Sequence, residues 1–368
     1  MTACGRLAIG LLLACIAVPV ATVPAQDLRT ERDPEAALLV TLSADGRWLA
    51  TQGDRTTSVW DLTTSQEVRR FRTPFLGVAV TGRGPTVALG GDRAWSVFDV
   101  RSGTPLMTIE EDGRVEDAWS VADYIRMVNS AHLVVHNPVA FDSGGRQLAV
   151  GHLPANHRNI GQVVRVIALP RLGGDSTWGK VTRRLRIGIG MARPGTPLYV
   201  SPCLALSPDD RWLAVGGKSS GGIVLDDAAA GTTQPDGYSD SFVLQAAFSA
   251  DGRILATGDL AGAVVLRDME RGRRLRVLKD HKTLIEAIAF SPAGQLVAAS
   301  SRGGRVVVWE VDTGRRLYTW TTAPSVRALR FVSGGTELEG VVVPDADAHY
   351  FHLKRWSLVT GLEVARPS

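Results

Sequence analysis

Apolar and polar residues alternate in short runs along most of the chain, and turn-forming residues separate the runs. The clearest stretch is 281–314, where SPAG and SRGG separate the runs IEAIAF, QLVAAS and RVVVWEV, and RRLYTWTT follows after DTG. Short runs rich in β-branched residues between glycine and proline turns are typical of antiparallel strands. The stretch therefore predicts a four-stranded antiparallel unit.

The turn after the first strand of this unit is repeated along the chain. Seven octets share the pattern of a polar turn followed by an apolar run: 43–50, 81–88, 142–149, 207–214, 249–256, 291–298 and 332–339. Their starts are 38, 61, 65, 42, 42 and 41 residues apart. Four-stranded repeats of this length are the blades of a β-propeller. We therefore predict an all-β fold, a seven-bladed β-propeller of four-stranded antiparallel blades over residues 34–366.

Two of the intervals are longer than one blade, by roughly twenty residues each, which indicates insertions and not further blades. The extra residues are assigned to segments 110–131, 153–160, 170–180 and 190–197. Loops that join strand four to the next strand one, and strand two to strand three, emerge on the same face of a propeller. Three of the four insertions are therefore expected on one face, over blades two to four. How the ring closes stays open, because residues 27–33, DLRTERD, are too charged to indicate a closing strand.

The unit at 281–314 resembles the WD-repeat family at individual residues. His281 stands ten positions before the Ser-Pro-x-Gly turn, and Trp309 ends the third strand. The resemblance implies a hydrogen-bonded network of His281, Ser300, Trp309 and an acidic residue of the second turn. Arg302 and Gly303 stand where that acid is expected, so the network is incomplete in this blade. By the same alignment, three further residues take structural places in other blades: Trp60, His132 and Trp356.

The resemblance identifies the chain as a degenerate bacterial member of that family, and the start of the sequence indicates export. Residues 1–25 have the pattern of a secretory signal peptide, with Arg6 before an apolar run over 7–20 and small residues ahead of Gln26. We expect a periplasmic or extracellular protein. An alternative interpretation takes Leu12 to Cys15 as a lipoprotein processing box, in which Cys15 carries the lipid.

Cysteine content, net charge and the length of apolar runs limit the possible disulfides, partners and membrane spans. Cys203 is the one cysteine that follows the leader, so no disulfide can form within the mature chain, and a buried apolar role is expected. The net charge is +4 and the pI is about 9.1, but the basic residues are scattered and form no single stripe. We therefore predict no nucleic-acid partner. No other segment reaches the ~18 apolar residues of a membrane span.

Motifs that carry catalysis are absent from the sequence, which has no nucleophile elbow, P-loop, HExxH or dinucleotide fingerprint. Four of the seven histidines fall between positions 132 and 157, but nothing in their spacing predicts the convergence that a zinc site needs. Asp345, Asp347 and His349 are interpreted as a hydrated hairpin loop. No enzyme activity, metal or cofactor is predicted.

What the resemblance implies about function is a non-catalytic scaffold of the cell envelope that binds a protein or peptide through the face carrying the blade two to four insertions. The chain is expected to be monomeric, and its partner is not identified. The candidate interface residues are in the insertions and at the channel mouth: Trp119, Tyr124, Arg126, Met127, Arg158, Asn137, Gln245, Glu286 and Arg327. Trp119 and Met127 could instead pin a short helix, predicted over 115–128, onto the propeller.

Two other functions stay open at this point. The first is an extracytoplasmic hydrolase or lyase at the channel mouth, which requires His136, His152, Asp345 and Asp347 to converge. The second is a structural hub of an envelope assembly complex.

Overall fold

The strands of the protein lie in seven separate antiparallel sheets. The computed structural model describes residues 27–29, 39–53, 56–72, 77–81, 85–90, 94–110, 139–152, 161–169, 180–188, 203–216, 222–236, 241–322, 325–343 and 350–364. The predicted leader and nearly all of the four predicted insertions fall outside these ranges. Within them, no helix is long and apolar enough to cross a membrane.

Each of the first six sheets is built from four consecutive strands, as the repeated octets predict. The strands of blades one to three are β2 Leu39–Leu42, β3 Trp48–Gln52, β4 Thr57–Asp61, β5 Gln66–Phe71, β6 Gly77–Thr81, β7 Thr86–Gly90, β8 Ala94–Asp99, β9 Pro105–Glu110, β10 Val139–Phe141, β11 Gln147–His152, β12 Gly161–Ala168 and β13 Lys180–Gly188. Those of blades four to six are β14 Leu204–Leu206, β15 Trp212–Val215, β16 Ile223–Asp227, β17 Thr232–Asp236, β18 Val243–Phe248, β19 Ile254–Asp259, β20 Val264–Asp268, β21 Arg273–Leu278, β22 Ile285–Phe290, β23 Leu296–Ser301, β24 Arg305–Glu310 and β25 Arg316–Thr321.

The seventh sheet takes strands from both ends of the chain. It contains β26 Val326–Val332, a 3₁₀ turn at Ser333–Gly335, β27 Glu337–Val342, β28 Tyr350–Ser357, β29 Glu363–Val364 and β1 Asp27–Arg29. β1 pairs with residues 350–352 of β28, and β29 pairs with residues 355 and 356 of the same strand. The outer edge of blade seven is therefore shared between the two ends of the chain. A charged sequence suits this place, because an outer edge strand faces solvent.

The seven blades form a closed ring. The first strands of the blades pack side by side in the order β2, β6, β10, β14, β18, β22 and β26, and β26 packs against β2 again. These observations confirm the predicted all-β, seven-bladed propeller. Closure matters energetically, because an open stack would leave one apolar face uncovered at each end.

The core consists of seven apolar clusters, each between two neighbouring blades. The second strands of blades one and two are fully buried along their whole length, because a neighbouring blade covers each of their faces. The cluster between blades seven and one includes Trp60, whose ring meets Phe351 edge to face at 5.3 Å. Burying an aliphatic or aromatic side chain of this kind contributes about 1.5–3 kcal/mol.

Several outer strands also hold the next blade through polar contacts. Arg69 on β5 donates to the backbone carbonyls of Val100 and Arg101 in blade two. Arg276 on β21 reaches Asp312 O in blade six in the same way. Three more side chains make equivalent contacts: Arg183 with Asp226 at 2.9 Å, Trp320 with Gly361 O at 2.9 Å, and Tyr318 with Leu358 O. Three arginines of the outer strands, Arg69, Arg183 and Arg276, are thus used to tie adjacent blades together.

The turn between β23 and β24 allows a sharp test of this packing. Gly303 and Gly304 both lie in the left-handed region, with φ of +93° and +80°. A Cβ on Gly304 would collide with the carbonyl oxygen of Thr322, whereas one on Gly303 would meet nothing within 4 Å. We expect Gly303→Ala to cost about 1 kcal/mol and Gly304→Ala about 3 kcal/mol or more, measured by urea unfolding. Equal losses in the two variants would show that the collision at Gly304 is relieved.

Candidate functional site

The propeller has two distinct faces. The face formed by the loops from strand four to the next strand one, and from strand two to strand three, is called the upper face here. The opposite, lower face carries the turns between strands one and two and between strands three and four. On the upper face, blade six is described without a gap, from residue 279 in the incoming loop to residue 305 after the second turn.

A buried network joins the incoming loop of blade six to its strands. His281 is 5% exposed, and its Nδ1 shares a hydrogen bond of 2.8 Å with the hydroxyl of Ser301. The ring of Trp309 packs edge to face against His281 at 5.5 Å. Trp309 Nε1 donates to Asp280 Oδ2 at 2.7 Å, and Asp280 Oδ1 accepts from Arg316 Nη1 at 2.7 Å. The acid of the network therefore comes from the residue next to the histidine and not from the second turn.

The serine of this network is Ser301, which corrects the prediction that placed Ser300 there. Successive residues of a strand point to opposite faces, so only one of two adjacent serines can face His281. Ser300 instead donates to Val326 O in blade seven at 2.6 Å. Asp280 is not part of the predicted network, although the sequence shows an acidic residue directly before the histidine.

The second nitrogen of the histidine has no hydrogen-bond partner among the residues that the structure describes. Nε2 of His281 is buried and makes no hydrogen bond within the described part of the chain. Arg302 and Gly303 occupy the turn where the family places an acid, which accounts for the missing acceptor. Burial and, second, the positive charge of Arg305 lower the pKa of His281 to about 4, against a smaller opposing effect of Asp280. His281 is therefore neutral near pH 7.

The inner strands of blades five, six and seven share an irregularity at the upper end. Their pairing with the second strand is interrupted by a β-bulge, and the extra residues are Leu244, Glu286 and Arg327. Bulges re-aim side chains and are common beside functional sites. The structure thus places Glu286 and Arg327 at equivalent positions of adjacent strands, while Gln245 follows its bulge and pairs with Gly258.

Glu286, one of the residues predicted at the channel mouth, has a nearly buried side chain close to Arg302. The side chain of Glu286 is 8% exposed, that of Arg302 is 47% exposed, and Nε of the arginine lies 3.8 Å from Oε1 of the glutamate. This separation is too long for a hydrogen bond, so the arginine is held only loosely.

Comparison with known proteins agrees with this geometry. A scan against protein families matches residues 272–310 to the WD domain, G-beta repeat family. The matched segment covers the outer strand of blade five, the incoming loop and the first three strands of blade six. Together with the closed ring of seven four-stranded blades, this match supports a WD-repeat β-propeller. A comparison with curated proteins finds no match.

In other blades of the propeller, the aromatic residue of strand three makes different contacts. Trp60 Nε1 lies 3.3 Å from the Thr51 hydroxyl, to which it donates. Trp356 is 1% exposed and stacks on Trp320 at 5.5 Å. In the second turn of blade five, Asp259 accepts from the backbone N–H of Ala263 at 2.8 Å and so stabilises the turn.

On the lower face, turn arginines meet carboxylates of their own blade. Arg47 pairs with Asp61 at 2.7 Å, and Arg211 pairs with Asp227 at 2.8 Å. Burial raises the pKa of Asp61, but hydrogen bonds from Arg47 and Thr63 outweigh it and lower the pKa to about 2. The carboxylates of these two pairs are thus ionised throughout the neutral range, because the pKa of Asp227 is lowered as well, first by its hydrogen bond with Arg211.

Most of the predicted interface residues lie outside the part of the chain that the structure describes. Six candidates lie outside the described residues: Trp119, Tyr124, Arg126, Met127, Asn137 and Arg158. The same holds for the structural His132 and, among the residues of the enzyme alternative, for His136, Asp345 and Asp347. His152 is described and ends β11. Across the described ranges, no three His, Cys, Asp or Glu side chains are grouped so that they could hold a metal ion.

Cys203, the one cysteine among the described residues, is buried in the core. Cys203 is 7% exposed and packs between blades four and five, where its thiol lies 3.8 Å from Val243 O. Burial raises the pKa of this thiol to about 12. Because the thiolate is the reactive form, Cys203 is inert at neutral pH.

The lowered pKa of His281 predicts a defined dependence of stability on pH. The unfolded chain binds a proton at this side chain below about pH 6.5, whereas the folded protein does so only near pH 4. Stability is therefore full above pH 6.5 and falls as the pH drops toward 4, by about 2 kcal/mol between pH 7 and pH 5. Urea unfolding at several pH values measures this slope. His281→Gln removes the titrating group, and an unchanged slope in that variant would assign the effect to other residues.

Proposed function

We propose that this WD-repeat propeller is a non-catalytic platform of the cell envelope that binds a protein or peptide through its upper face. The observation that supports this function most directly is the closed ring, in which seven apolar clusters hold the blades together. A rigid frame of this kind presents loops in fixed relative positions at low conformational cost, which favours binding.

The family supports a binding role. WD-repeat propellers are commonly protein-interaction scaffolds and typically do not act as enzymes. Fold alone selects no function, so the partner must be argued from the surface. Three of the four predicted insertions belong to connections of the upper face, and we expect them to enlarge that face over blades two to four.

The interface anchors remain predictions. Trp119, Tyr124 and Met127, with Arg126 and Arg158 beside them, belong to residue types that dominate interface energetics. We propose that these side chains contact the partner. Their competing role is to pin the first insertion onto the propeller.

Export is part of the proposal and rests on the leader pattern over residues 1–25. Cleavage after Ala25 would release a protein that begins at Gln26, whereas processing before Cys15 would leave a lipid anchor. Mass spectrometry of the mature protein should give a first residue of Gln26. A lipid-modified N-terminal Cys15 would replace the soluble form with an anchored one, and an uncleaved chain would contradict export.

The use of the upper face can be tested by photo-crosslinking in cells. Thr283 and Thr313 are exposed threonines of the same blade, the first on the upper face and the second on the lower face. A photoreactive amino acid in place of Thr283 should yield adducts of defined mass, and one in place of Thr313 should yield none. Replacement of residues 110–131 by a short Gly/Ser linker should remove the adducts, provided that the variant folds. Equal adducts from both positions, or adducts from Thr313 alone, would contradict the proposal.

A further inference from the structure

The two faces of the propeller differ in how their cations are neutralised. On the lower face, Arg47, Arg211 and Arg271 each have a carboxylate within 2.8 Å, and Arg253 and Arg315 have looser pairs at 3.4 Å and 3.8 Å. On the upper face, blade six carries four cations, which we call the blade-six basic patch: Lys279, Lys282, Arg302 and Arg305. Only Arg302 of these four has an ion pair among the described residues, so the patch is a place where an anionic partner would neutralise charge.

The cations of the patch have little compensation from the protein itself. Lys279 and Lys282 are exposed, and neither makes an ion pair within the described part of the chain. Arg305 is half-buried, and its Nε is buried without a hydrogen-bond partner among the described residues. Arg302 has Glu286 as its nearest acid, at 3.8 Å.

The patch is one continuous surface, because hydrogen bonds join its loop to its turn. Thr283 donates from its hydroxyl to Arg302 O at 2.6 Å, and the N–H of Arg302 donates to Leu284 O at 3.0 Å. His281 and Ser301 connect the same two segments below. The turn is also open to solvent, since a Cβ on Gly303 would meet no atom within 4 Å.

The acidic groups of these segments are already engaged. Asp280 accepts hydrogen bonds from Trp309 and Arg316 through its two oxygens. Glu286 is nearly buried beneath Arg302. His281 adds no charge at neutral pH, because its pKa is lowered to about 4 by burial and by Arg305. The exposed part of the patch is therefore positive.

We propose that the blade-six basic patch binds an acidic segment, rich in aspartate or glutamate, of a partner protein. This assignment rests on the platform function proposed above and names the chemistry of its partner. Charge complementarity favours an acidic peptide, whose carboxylates accept charge-assisted hydrogen bonds from lysine and arginine. The patch spans a single loop and a single turn, which is short for the extended basic stripe that tracks a nucleic-acid backbone.

The experiment measures binding of a short fluorescein-labelled peptide of alternating glutamate and serine to the purified protein, by anisotropy at about 0.1 M salt. The same peptide with glutamine in place of glutamate is the probe control. The patch variant carries Lys282→Gln and Arg302→Gln. The matched variant carries Arg253→Gln and Arg315→Gln, which remove the same charge from exposed side chains of the lower face. Circular dichroism checks that both variants fold.

The glutamate peptide should bind the wild type, and the glutamine peptide should bind far more weakly. The patch variant should lose about tenfold in affinity, and the matched variant should stay within about twofold. Absence of binding to the wild type, or equal losses in both variants, would overturn the proposal. A single-stranded oligonucleotide of equal charge is tested in the same way. If it binds the wild type more tightly than the peptide does and loses affinity in the patch variant, the patch is assigned to nucleic acid instead.

Failure of this assignment can be told apart from failure of the platform function. If adducts from position 283 persist unchanged in the patch variant, the upper face still binds a partner, and the acidic segment is the wrong chemistry. If position 283 gives no adducts at all while the peptide binds, the platform proposal fails and the patch remains an anion site.

Discussion

The contact of β26 with β2 is the one on which the rest of this fold depends. Each blade is apolar on both of its faces, so its sheet is stable only when another sheet covers each side. The ring closes through an apolar cluster between blades seven and one, in which Trp60 meets Phe351. Similar apolar clusters lie between blades six and seven and between blades one and two. A ring with this contact broken would expose two apolar sheet faces at once.

At the outer edge of the ring, polar contacts also join neighbouring blades. Arg69, Arg183 and Arg276 each reach from the fourth strand of one blade to the third strand or the following turn of the next. In blade six, the indole of Trp320 and the phenol of Tyr318 make the equivalent hydrogen bonds to blade seven. Arginine thus ties the blades together at the rim, where side chains are too exposed for apolar contacts to suffice. This use of arginine explains why a basic chain need not be a nucleic-acid binder.

Blade six shows how a repeat that departs from the family pattern keeps its structure. Without an acid in the second turn, Trp309 donates to Asp280, and the histidine retains only its bond to Ser301. Among the described residues, Nε2 of His281 makes no hydrogen bond, and the second turn carries Arg302 where the family has an acid. Arg302 therefore leaves the network incomplete and is also one of the four cations of the blade-six basic patch.

Local sequence determined the number of blades, the order of their strands and the positions of their turns. These features follow from strand-length apolar runs and from glycine or proline turns, and both are set by neighbouring residues. Tertiary structure decided what depends on distant parts of the chain. The choice of Ser301 over Ser300 follows from which strand face meets the incoming loop, and the bulges at Glu286 and Arg327 are visible only in the pairing of the folded strands. The pairing of residues 27–29 with β28 joins segments from opposite ends of the chain, and no local pattern encodes such a contact.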